Sequence, residues 1–132
     1  MSNVTIKGGS LIDQVKQLTD ACEIEIMTAT KDAGKKVAED TVKTLKMTSP
    51  SSKGHGKYKK GWSVKADGST YTVYNKTHPG LTHLLEKGHD VISHGKKVGR
   101  AKAQPHIKPA EEEAVNRYVE EVTKEINRRL SR

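Results

Sequence analysis

A stripe of apolar side chains at helical spacing runs through the first third of this chain. Leu11, Val15, Leu18, Cys22, Ile26, Ala29, Ala33, Val37 and Leu45 recur mostly at steps of three and four, the period of one face of an α-helix. Ser10, three residues before Asp13, forms a capping-box pattern that marks a start. Thr48-Ser49-Pro50-Ser51-Ser52 marks the end, because a residue before proline avoids the helical region. At 1.5 Å rise such a helix is roughly 55 Å long, more than a compact domain of this size spans. Either Gly34 interrupts it, or it projects and packs against something else. Cys22, the one cysteine, falls on the stripe and is expected to pack as a small hydrophobe.

From Gly61 the period changes to two. Trp62, Val64 and Ala66 alternate with polar neighbours, followed by Asp67-Gly68 and then Thr70 to Tyr74, which predicts a β-hairpin turning at Asp-Gly. An isolated hairpin is marginal in water, so helices or further strands must cover its apolar face. A short helix through Leu81, Leu84 and Leu85 then ends at Gly88. Leu84, Leu85 and Trp62 are the expected core. Residues 89–104 read as a long basic loop, and Pro109 opens a terminal helix whose apolar stripe is Val115, Val119, Val122, Ile126 and Leu130. The order predicts one α+β domain over residues 1–132, with a long N-terminal helix, an antiparallel hairpin, a short helix, a basic loop and a C-terminal helix packed on the sheet.

Charge is segregated along this order. Residues 1–47 hold seven Lys and seven acidic residues; residues 48–108 hold twelve Lys or Arg against Asp67, Glu86 and Asp90; residues 109–132 hold five basic against six acidic. The middle segment therefore carries the whole surplus of the +8 net charge, together with all six histidines. With no Phe, one Trp and four Tyr, the chain has few large groups to bury, so its core is expected to be completed by partner subunits. No apolar run is long enough for a membrane span or signal segment. That predicts a soluble protein of the cytoplasm in which it is made.

Two functions follow from the middle segment by chemistry alone. A metal-dependent nuclease would draw on His78, His83, His89, His94 and His106, but steps of five separate helical side chains by about 140°, away from the stacked i, i+4 arrangement of metal ligands. His83 and Glu86 could share a helix face, where capping, a surface hydrogen bond or an interface contact is the commoner role. No catalytic, cofactor or metal residue is assigned. A non-sequence-specific DNA-binding protein would use the basic segment 53–102. Lys53, Lys57, Lys59, Lys60, Lys96, Lys97, Arg100 and Lys102 would track phosphates, with Tyr58 and Trp62 stacking bases.

The succession of motifs points elsewhere. Gly56-Lys57-Tyr58-Lys59-Lys60-Gly61-Trp62 leads to Val73-Tyr74-Asn75-Lys76, then to Leu81-Thr82-His83-Leu84-Leu85-Glu86-Lys87-Gly88-His89, then to Pro105-His106-Ile107 with Pro109-Ala110. Over roughly residues 54–115 it resembles the gp-ten-like tail-component family of long-tailed phages. The family-like positions are Tyr58, Gly61, Trp62, Tyr74, Asn75, Leu84, Leu85, Glu86, Gly88, His89, Pro105, His106 and Pro109. The resemblance implies a non-enzymatic structural protein acting in tail completion or head-tail joining. Copies would form a ring around the channel axis, made in the host cytoplasm and carried into the virion. Its partners would be other neck or tail proteins, with DNA in the channel as a further contact. Lys96, Lys97, Arg100 and Lys102, with His89 and His94, are the candidate interface residues in the loop 88–104.

Overall fold

Helix α1 is continuous from Gly8 to Thr48. Its 41 residues make a rod about 60 Å long. It is the spine of a computed structural model that describes residues 8–51 and 56–131. The Ser10 side chain of the expected capping box, the Leu11 side chain, Lys53, His55 and Arg132 lie outside the described residues. After α1 come α2 (Gly56–Lys60), the hairpin β1 (Trp62–Asp67) and β2 (Thr70–Asn75), and a 3-10 turn at Pro79–Leu81. Helix α3 (Thr82–Lys87), β3 (His89–Ser93), β4 (Lys96–Ala101) and α4 (Ile107–Leu130) follow. The fold is α+β, as expected, but with two separate two-stranded sheets, β1-β2 and β3-β4.

Gly34 does not break α1. It is where other elements come closest, since a Cβ there would lie 3.1 Å from the Tyr71 ring of β2 and 3.7 Å from that of Tyr118 in α4. The buried α1 positions are the small and medium members of the stripe, Ala29, Ala33, Val37, Ala38 and Leu45. Small side chains let α4 and the first hairpin approach the helix axis on two sides. Every residue from 13 to 28 is exposed, Cys22 and Ile26 included. The expectation that Cys22 packs in a core is therefore wrong: among the described residues only the last turn of α4 reaches that height, and it leaves Cys22 and Ile26 exposed.

Helices α1 and α4 run antiparallel. Asp40 meets Arg117, Lys36 meets Glu121 at 3.1 Å, and Arg129 meets Asp32 at 2.6 Å and Glu25 at 3.2 Å, so one chain number falls as the other rises. This seam is laced with ions instead of closed by the valine stripe expected for α4. Val115 and Val119 are exposed, while Val122 and Ile126 are half-buried.

The β1-β2 register pairs Trp62 with Asn75, Val64 with Val73, and Asp67 with Thr70. The two-residue turn is thus Gly68-Ser69, one step later than the Asp67-Gly68 expected. Gly68 has φ 60, which a turn with glycine at its first central position requires. The core sits where the hairpin root meets the two long helices. Leu45, Tyr58, Trp62 and Ala110 are buried there, with Val42, Val73, Leu81, Leu85 and Ile107 packed around them. Burying each large side chain contributes roughly 1.5–3 kcal/mol. Leu84, expected in the core, is only half-buried and is not among the residues packed on this cluster.

Candidate assembly interface

The segment expected to be a basic loop is a second hairpin. His94 and Gly95 both take positive φ, 50 and 77, the pattern of a tight two-residue turn between Ser93 and Lys96. Asp90 stands opposite Arg100 and accepts from it at 3.1 Å, while Lys97 reaches the same carboxylate at 3.3 Å. Two of the candidate interface cations are therefore paired within the hairpin, while Lys96 and Lys102 are exposed with no acidic partner among the described residues. Val91, Ile92 and Val98 are exposed as well, Ile92 to 60% and Val98 to 64%. The β3-β4 pair is a projecting basic arm with an apolar component. A free two-stranded ribbon of this kind has marginal stability of its own.

The arm is held at its root. Gly88 ends α3 with φ 77 and ψ 171, a region open essentially to glycine alone, and a Cβ there would lie 2.6 Å from the Ala101 carbonyl oxygen. Gln104 N donates to the Leu85 carbonyl at 2.8 Å. His89 is half-buried at the root, its Nδ1 enclosed without a hydrogen-bond partner among the described residues, and His94 forms the tip.

Below the root, Glu86 caps a helix to which it does not belong. Its carboxylate accepts from the backbone N–H groups of His106, Ile107 and Lys108 at 2.7, 2.8 and 2.9 Å, satisfying the orphan donors of α4 at the positive end of its dipole. Burial pushes this carboxyl upward, but the three amides and the neighbouring His106 ring together outweigh burial and hold it below the usual glutamate range. His106 is buried. Its Nδ1 faces the Gln104 carbonyl at 2.8 Å and Glu86 at 3.1 Å, and its Nε2 meets the Tyr58 hydroxyl at 2.7 Å. Burial first, and the negative Glu86 second, push the Tyr58 phenol up to about 12.

Gly61, Trp62 and Asn75 complete the same knot. Tyr58, Trp62 and His106 meet edge-to-face at 5.7–6.2 Å. The Trp62 indole donates to Ser49 Oγ at 2.7 Å, which in turn donates to the Leu45 carbonyl. Buried Asn75 donates to the Tyr58 carbonyl at 2.7 Å and accepts from His78 N at 2.8 Å. Gly61 lies against Asn75 and Thr77 with no room for a Cβ. Tyr74 is exposed on the outer hairpin face, Pro105 is exposed, and Pro109 sits in the first turn of α4. Thus Tyr58, Gly61, Trp62, Asn75, Glu86, Gly88 and His106 form one structural knot, while Lys96, Lys97, Arg100 and His94 ride on the arm. Tyr58 and Trp62 are buried and offer no face to a base. The histidines are dispersed, and no group of three or more His, Cys, Asp or Glu converges as a metal set among the described residues.

Sequence reasoning missed α2: it predicted no element between the end of α1 and the first hairpin, where α2 presents Tyr58 inward. It also missed an open apolar groove of about 530 Å³ between α1, the first hairpin and α4, walled by Val37, Ala38, Tyr71, Val73, Val115 and Val119. The exposed valines of α4 were its only signal.

The family model described as "Bacteriophage HK97-gp10, putative tail-component" matches residues 9–88. The chain belongs to this HK97-gp10-like family. The match takes in α1, α2, the first hairpin and α3, and it ends at Gly88, where the arm begins. It thus reaches further toward the N-terminus than the motif resemblance over 54–115 and stops before Pro105 and His106. No curated protein and no solved structure matches the chain significantly. As an HK97-gp10-like phage tail component, the chain belongs with the structural proteins of the virion. No helix among its described residues is long and apolar enough to cross a membrane.

Proposed function

We propose that this HK97-gp10-like protein completes the tail or joins it to the head of a long-tailed phage or prophage. It would act by assembling as a ring around the channel axis, and it has no catalytic role. It would be made in the host cytoplasm and retained in the neck or tail of the virion, against other neck or tail proteins. The observation that carries this reading, beside family membership, is the exposed apolar surface on elements that project from a small core. Val15 and Leu18 on α1, Val91, Ile92 and Val98 on the arm, and Val115 and Val119 along the groove all stand open. Exposed apolar patches on projecting elements mark protein–protein contact sites, and subunits that assemble cover them. Ring contacts are heterologous, one patch meeting a different patch on the next copy.

The test is particle assembly with arm variants. Lys96→Glu with Lys102→Glu reverses charge without touching the Asp90 pairs that hold the arm together. The expected result is a folded protein with an unchanged circular-dichroism spectrum, and heads and tails that fail to join. Normally assembled particles would remove the arm from the joining surface. Adding Lys97→Glu and Arg100→Glu should deepen the defect, because Asp90 then loses both partners.

A further inference from the structure

We propose that the core end of the molecule contacts the phosphate backbone of duplex DNA, without reading its sequence, through five lysines that the fold gathers from four separate segments. The inference goes beyond the assembly role and does not depend on the ring. Residues 41–113, from the last turns of α1 to the second turn of α4, hold fourteen Lys or Arg against six Asp or Glu. This end therefore carries the whole +8 surplus. Over the remaining lengths of the two long helices and the termini, ten cations meet ten carboxylates.

Helix α2 turns Tyr58 into the core and leaves Lys57 and Lys60 exposed. Lys76, just after β2, is brought beside them by two hydrogen bonds. Its N–H donates to the Gly61 carbonyl at 2.7 Å, and Thr77 Oγ1 donates to the Lys57 carbonyl at 2.8 Å. Lys87 closes α3 and Lys108 lies in the first turn of α4. Glu86 ties those two ends together, accepting from Lys108 N at 2.9 Å, and the Tyr58–His106 hydrogen bond at 2.7 Å joins the two groups. The knot that builds the core thus also fixes where five exposed lysine side chains start.

No carboxylate pairs with any of these five among the described residues. Glu86 is taken up by the α4 amides, Asp90 by Lys97 and Arg100, and Glu113 leans toward Arg117 at 3.9 Å. The result is a positive surface that an external anion completes. Lysine is depleted in protein–protein interfaces, where arginine and aromatic groups are favoured, whereas its ammonium serves phosphate well as a point charge. A phosphate polymer is the better match, and in the particle to which a phage tail component belongs that polymer is DNA. Tyr58 and Trp62, the aromatic groups beside α2, are buried and cannot stack on bases. The contact is to the backbone, which positions a protein without specifying sequence.

Fluorescence anisotropy of a labelled mixed-sequence DNA duplex, titrated with the full chain over a series of salt concentrations, tests this. Five lysines neutralising one phosphate each give a slope of log affinity against log salt of about −4.5, at roughly −0.9 per phosphate. Lys57→Ala with Lys60→Ala and Lys76→Ala should bring the slope to about −2 and weaken binding at low salt by roughly tenfold or more. Lys87→Ala with Lys108→Ala, on the other side of the knot, should bring it to about −3. Lys16→Ala with Lys31→Ala and Lys124→Ala removes as much charge from exposed positions on the long helices and should leave slope and affinity near those of the parent, with circular dichroism showing that every variant folds. A flat salt response would refute the contact. Equal losses from the two triple variants would mean that net charge, not this end, binds DNA. Displacement of the duplex by poly-glutamate at equal charge concentration would give the surface to an acidic protein instead, and a marked preference between unrelated duplex sequences would contradict a backbone contact. Each of these contrary results leaves the assembly reading standing.

Discussion

Replacing Glu86 by Ala removes the carboxylate that holds three consecutive backbone amides of α4 from outside that helix. Loss of a helix cap costs about 1–2 kcal/mol, and loss of a negative charge at the positive end of the dipole about 0.5–1 kcal/mol more. The His106 and Ile107 amides are partly enclosed, and leaving them without an acceptor adds roughly 1 kcal/mol. Relief from burying a charge offsets part of this, so the net expectation is about 2–4 kcal/mol, a large share of the 5–15 kcal/mol that stabilises a typical domain. For a chain of this length that is a fall in Tm of about 6–15 °C. Urea unfolding at pH 7 reads the free energy, and a series from pH 7 to 3 reads the carboxylate. Because folding holds the Glu86 carboxyl below its ordinary range, its contribution is complete above the unfolded value of about 4.3 and is lost as pH falls through the folded one. Glu86→Gln should therefore be less stable at pH 7 and lose part of the acid limb that the parent shows. An Ala variant within about 0.5 kcal/mol of the parent, or an unchanged acid limb in the Gln variant, would refute the capping role.

Gly88→Ala places a methyl group against the Ala101 carbonyl at a positive φ. It should destabilise by about 1–3 kcal/mol and speed hydrogen exchange in residues 89–101 more than in α1. Tyr58→Phe leaves His106 Nε2 without its partner and should cost about 1–2 kcal/mol in urea unfolding. In a spectrophotometric titration, one of the four tyrosines should resist ionisation until about pH 12, and the Tyr58→Phe protein should lack that late step. Because the folded value is raised, the Tyr58 contribution is whole below about pH 10 and fades above it. The exposed Cys22 thiol should react completely with a thiol reagent in the native, unassembled protein. A thiol that reacts only after denaturation would restore it to a core.

Periodicity made the long elements legible, because a stripe at 3.6 or alternation at two is imposed by the solvent and the core together. Helix α1, its end at Thr48, the first hairpin and the Gly88 stop were all readable from residue order. Periodicity does not say which part of a stripe is covered. In α1 the stripe residues Val15, Leu18 and Ile26 look like core and are exposed, while the small Ala29 and Ala33 are buried, because coverage depends on where α4 ends. The arm was hidden because its strands are rich in Lys and Gly, and because a bulge between Val91 and Ile92 breaks the alternation. Glu86 was readable as a capping group, but its target, twenty residues downstream, is a tertiary fact. The same holds for Tyr58 and His106, which are separated by 48 residues and joined by one hydrogen bond.

Electron microscopy of phage particles made without this gene, with the intact gene restored in parallel, bears most directly on the assembly role. Filled heads accumulating apart from tails, or tails of abnormal form, both corrected by the restored gene, are the expected result. Normal infectious particles without the gene would contradict a role in tail completion or head-tail joining.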